Sequence, residues 1–114
     1  MPDKKTIYSI AANVELVRSR LTKASLYEQM AEECTELAQA CLKKARKIRG
    51  ENYTPLTDEQ IDESINEEYA DISLVAATLG LPKDYKLMLK KCRRWVERNV
   101  PVPGPEDGKS NETD

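Results

Sequence analysis

The chain has 114 residues, with 18 basic side chains against 20 acidic ones, and a mean hydropathy of -0.66. That size predicts one domain, about two thirds of whose unfolded surface folding would bury; with 39% apolar residues and no Phe the core is thin, so a homodimer or homotetramer sharing its core is expected. Mixed charge argues against nucleic-acid binding through bulk positive charge, and the absence of histidine removes the HExxH metalloprotease site, the Ser-His-Asp triad, the Cys-His pair and the Glu-x-x-His di-iron bundle.

Apolar residues at Ile7, Ile10, Val14, Val17 and Leu21 follow helical spacing and predict helix one. Ser25 opens a longer pattern through Leu26, Met30, Cys34, Leu37, Cys41 and Ile48, which predicts helix two, ending near Gly50 after a basic last turn. Residues 50–57 read as a loop. Thr57 with Gln60 three positions on resembles a capping box, so helix three starts there and carries Ile61, Ile65, Tyr69, Ile72, Val75, Ala76 and Leu79 on one face until Gly80 and Pro82 stop it. Helix four runs from about Lys83 to Arg98 with Tyr85, Leu89, Cys92 and Val96. The stretch from 101 to 114 is rich in Pro, Gly and acids and is expected to be a disordered tail after a domain of residues 1–100. No strand pattern appears, so the fold class is all-α.

Cys34, Cys41 and Cys92 form no CxxC pair, which argues against a zinc site or a disulfide framework and for a reducing compartment. No apolar run is long enough for a membrane span, and the N-terminus lacks the apolar stretch of a signal peptide; a cytoplasmic protein without a membrane partner is expected. The tail segment GPEDGKS resembles a phosphate-binding loop, but three residues separate its glycines where that loop needs four.

Two acidic pairs carry the chemistry. Helix two contains Glu32-Glu33-Cys34-Thr35-Glu36 and helix three contains Glu67-Glu68-Tyr69-Ala70-Asp71. At 100° per residue Glu33 lies about 20° from Leu26, Glu36 about 60° from Glu33, and Glu68 falls inside the apolar arc of Ile61, Ile65 and Val75. A solvated acidic face is the ordinary explanation for such spacing. However, a carboxylate among aliphatic side chains needs neutralising, and residues 57–79 contain no basic side chain. A divalent cation is the simpler compensator, and oxygen ligands without nitrogen or sulfur select Mg²⁺ or Mn²⁺. Basic residues complete the pattern: Lys44 and Lys47 on the side of helix two that carries Glu33 and Glu36, and Lys91 and Arg94 in helix four are candidates for contacting phosphate.

EQMAEECTELAQACLKK followed by INEEYADISLVAATLGL resembles the MazG-like all-α nucleoside triphosphate pyrophosphohydrolases, whose mark is EExxE on one helix and ExxD on the next. The resemblance covers residues 25–81. It implies a four-helix domain that assembles into an oligomeric helical bundle, and Mg²⁺ held by Glu33, Glu36, Glu68 and Asp71 with Glu32 beside them. It also implies cleavage of a (d)NTP between the α and β phosphates, giving a monophosphate and pyrophosphate, with Glu32 or Glu36 as the base. The spacer from Glu36 to Glu68 is longer than the family usually shows; the extra length falls in GENYTPLTD, so altered substrate access is expected. A non-enzymatic helical interaction module is the alternative, and a helix-turn-helix DNA binder a weaker third. Stacking of Tyr27, Tyr53, Tyr69, Tyr85 or Trp95 on a base is weighed against ordinary core or interface roles.

Overall fold

A computed structural model describes residues 1–51 and 55–101; residues 52–54, which include Tyr53, and residues 102–114 with the GPEDGKS segment lie outside the described residues. Four helices and no strand are present among the described residues: α1 (Lys4–Arg20), α2 (Lys23–Arg49), α3 (Asp58–Leu79) and α4 (Tyr85–Asn99). The chain divides into two compact units, Met1–Leu81 and Pro82–Asp114. α1 to α3 form the first and α4 belongs to the second.

Each helix begins where a side-chain oxygen can serve an orphan backbone N–H. Asp3 accepts from Thr6 N at 2.7 Å, Thr22 from Ser25 N at 3.1 Å and Asp84 from Leu87 N at 2.9 Å. Thr57 accepts from Gln60 N at 3.1 Å while the Gln60 side chain accepts from Thr57 N at 2.9 Å, the capping box legible in the sequence. α2 therefore starts at Lys23, two residues before its apolar pattern, because Thr22 supplies the cap and the first turn faces solvent. α4 starts at Tyr85 for the corresponding reason. α2 and α3 end on Gly50 and Gly80 in the left-handed conformation, at φ 70° and 71°. The following amides, Glu51 N and Leu81 N, reach back to Arg46 O and Ala76 O.

In the first unit α3 is the element against which both α1 and α2 pack. α2 and α3 run antiparallel: Glu33 lies beside Asp71, Glu36 beside Glu68, Lys44 beside Asp62 and Lys47 beside Asp58. The buried apolar residues are Val14, Leu26, Ala40, Ile61 and Val75, so the core is as thin as composition implies. Its face on α2 differs from the expected one. Cys34, Cys41 and Ile48 are exposed, while Glu33 and Ala40 join Leu26 on the inward side, a rotation of the face by about 40°. Tyr69, expected on the apolar face of α3, is likewise exposed, and Thr78 is buried in the last turn. On α1 only Val14 is buried, and every residue of α4 is exposed.

Candidate metal centre

The antiparallel register places the middle of α2 against the middle of α3, which brings the two acidic pairs together. Glu33, Glu36 and Glu68 each present a carboxylate oxygen such that the three lie within 4.8 Å of one another. Glu33 is buried at 8% exposure, Glu68 is half-buried and Glu36 is exposed, so the cluster spans from the helix interface to solvent. Asp71, one turn beyond Glu68, contacts Glu33 and adds a fourth negative charge. Glu32 is exposed and is not one of the three converging carboxylates, since one residue along a helix turns a side chain by about 100°.

The electrostatics follow from that crowding. Burial, then a hydrogen-bond contact with Glu36, then repulsion from Glu36, Glu33 and Asp71 push the Glu68 carboxyl up to about 6. Burial and contact with Asp71 likewise raise Glu33, opposed by the Gln29 amide, which donates to Glu33 Oε1 at 2.9 Å. Glu33 Oε2 and Glu68 Oε2 are buried with no hydrogen-bond partner. Two buried acceptors without donors, in a cluster of like charge, are the surroundings a cation would complete. The donor set is all carboxylate, which suits Mg²⁺ or Mn²⁺ and not a softer metal.

The expected phosphate-binding lysines of α2 lie elsewhere. Lys44 Nζ is 2.8 Å from Asp62 Oδ1, and Lys47 Nζ donates to Leu56 O at 2.7 Å with Asp58 Oδ1 at 3.8 Å. Asp62 raises the Lys44 pKa, chiefly through that hydrogen bond. Both lysines thus brace the first turns of α3. Lys91 and Arg94 belong to the second unit, where with Trp95 and Arg98 they line a small cavity of ≈ 100 Å³. Neither has a carboxylate partner among the described residues.

Two contributors were absent from the sequence reading. Gln29 orients Glu33, and its signal is the i, i+4 spacing on one helix. Arg18 of α1 donates from Nε to Thr78 O at 2.8 Å and from Nη2 to Ala77 O at 2.9 Å, serving the carbonyl end of α3. Its partners lie about 60 residues away and leave no local signal. Beside the carboxylates, a cavity of ≈ 240 Å³ lies among α1, α2 and α3, with Glu33 and Asp71 on its polar side and Leu26, Leu74 and Val75 on its apolar side. Compared with models of protein families, with curated proteins and with solved structures, the chain matches none.

Proposed function

We propose that the chain is a Mg²⁺-dependent nucleoside triphosphate pyrophosphohydrolase that cleaves a (d)NTP between its α and β phosphates. The observation that carries this reading is the convergence of Glu33, Glu36 and Glu68 within 4.8 Å, with two of their oxygens buried and unpartnered. Glu33, Glu36, Glu68 and Asp71 would hold the cation. When bound, Mg²⁺ would polarise phosphate oxygens and acidify a water.

The protein's own groups supply the rest. Gln29 holds Glu33 in place, so the buried ligand is preorganised. Glu36, the exposed member of the cluster, or Glu32 beside it would accept a proton from the attacking water. The cavity beside Glu33 and Asp71 offers an aliphatic wall of Leu26, Leu74 and Val75 against which a substrate would pack. Lys44 and Lys47 would contact phosphate only where their pairs with Asp62 and Asp58 release.

A second reading, a non-enzymatic oligomeric helical module, is favoured by the exposure of Ile7, Ile10 and Leu16 on α1, at 45%, 50% and 56%. One assay separates the two. Released orthophosphate is measured across a nucleotide panel, with and without added inorganic pyrophosphatase. The enzyme reading expects phosphate only with the coupling enzyme and only with Mg²⁺ or Mn²⁺. Phosphate released without coupling would overturn the assigned bond, and no turnover on any nucleotide would favour the module.

A further inference from the structure

α1 is joined to its unit differently from α2 and α3. Its link to α2 is Leu21–Thr22, both in extended backbone (φ/ψ -107°/146° and -76°/156°), and Val14 is its one buried residue. α2 and α3 keep Leu26, Ala40, Ile61 and Val75 buried and are tied by the Lys44–Asp62 and Lys47–Asp58 pairs. Among the described residues, one side chain makes the polar tie from α1 to α3. Arg18 reaches Thr78 O and Ala77 O, and Glu15 of the same helix holds its Nη1 at 2.6 Å.

That side chain stands beside the acidic cavity. Val17 and Leu21 of α1 line the ≈ 240 Å³ space that reaches Glu33 and Asp71. A neighbouring cavity of ≈ 310 Å³ is lined by Arg18 and Leu21 and shares Leu26 and Thr78 with the first. The last turn of α1 therefore borders both. Elements that open locally are those with few buried apolar contacts, and α1 keeps one buried residue, Val14, and is joined to α2 through the two residues Leu21 and Thr22.

We propose that α1 is a lid over the acidic cavity, hinged at Leu21–Thr22 and latched by Arg18 onto the last carbonyls of α3. Opening breaks the two Arg18 hydrogen bonds and withdraws Val17 from the cavity wall, widening the path to Glu33 and Asp71. Its role in admitting a ligand rests on the carboxylate reading. Its motion does not, so it is tested without metal or nucleotide.

Hydrogen exchange is followed by mass spectrometry on the full chain in EDTA, for wild type, Arg18→Ala and Arg18→Lys. The lid expects amides of α1 to exchange at least about tenfold faster than those in the middle of α2 and α3. Arg18→Ala then speeds α1 by about a further tenfold while leaving α2 and α3 unchanged, and Arg18→Lys falls between. A single exchange rate for all three helices in the wild type overturns the proposal, as does an Arg18→Ala effect equally large on α2 and α3. A second measurement replaces Cys34, Cys41 and Cys92 by Ser and adds Leu26→Cys, a buried position lining both cavities. Arg18→Ala should raise the rate of disulfide exchange with an aromatic disulfide reagent by about tenfold, the same opening read at the cavity. An unchanged rate counts against the lid.

Discussion

Glu33 and Glu68 are held in the folded chain in a state that favours their protonated form. Glu68 moves from 4.5 in the unfolded chain to about 6, and Glu33 moves in the same direction. Between those two pH values the folded state binds more protons than the unfolded state, so stability falls as pH rises through that window. The metal-free protein should therefore melt at a higher temperature at pH 5 than at pH 7, read by differential scanning fluorimetry in EDTA. Glu68→Gln should flatten that difference, because the titrating group is gone. At pH 7 in EDTA the same variant should melt above the wild type: it removes one negative charge, and its amide can donate to a neighbouring carboxylate. Its hydrolysis should fall on the order of a hundredfold, the size of effect expected when a metal ligand is lost. A variant less stable than wild type in EDTA would make Glu68 a structural residue.

At the scale of the helix, α3 carries most of the unit's order. Its start is set by the Thr57–Gln60 box and by Ile61, 1% exposed in the first turn after it. Thr57→Ala should cost about 1 kcal/mol, and Ile61→Ala about 2–5 kcal/mol, because the second leaves a cavity in a core with few other members. Urea unfolding followed by circular dichroism ranks the two. Its end is set by Gly80, at φ 71°, where an added Cβ would meet Arg18 Nη2 at an ordinary 3.6 Å. At Gly50 an added Cβ would meet nothing within 4 Å. Gly50→Ala and Gly80→Ala should then destabilise by similar amounts, about 1 kcal/mol each, since the left-handed backbone and not a clash sets the cost. A much larger loss at Gly80 would show that Arg18 cannot shift.

For the molecule as a whole, two expectations concern what the chain binds. Mg²⁺ that binds the folded state alone stabilises it by mass action, about 2.7 kcal/mol at a hundred times its dissociation constant. Wild-type protein should therefore melt higher in saturating Mg²⁺ than in EDTA, and Glu68→Gln should gain much less. Equal melting temperatures for the wild type in the two conditions would remove the physical support for a metal centre. The second expectation is association. α1 leaves Ile7, Ile10 and Leu16 exposed, and Leu74 of α3 is 47% exposed. A homodimer or homotetramer that covers such residues should appear in sedimentation velocity at micromolar concentration. A monomer there would refute it.

The four helices of the described residues, the capping box that opens α3, the glycine stops of α2 and α3 and the two acidic pairs were legible in the chain because their causes are local. Caps act over three residues, glycine stops a helix through its own φ, and a 3.6-residue period shows which positions share a face. The inward lean of Glu68 was also local, since it falls inside the apolar arc of α3, while Glu33 only borders the arc of α2. Local pattern could not choose between Cys34 and Glu33, or between Cys41 and Ala40, as the buried line of α2. Adjacent lines on one helix have the same period, and it is the antiparallel contact with α3 that selects one. The same contact decided that Lys44 and Lys47 meet Asp62 and Asp58, two to four turns along α2 from the carboxylates they share a side with. Arg18 on the end of α3 is the longest-range case. Its hydrogen bonds join residues 60 and 59 apart, and only a folded chain brings such distant positions within 3 Å.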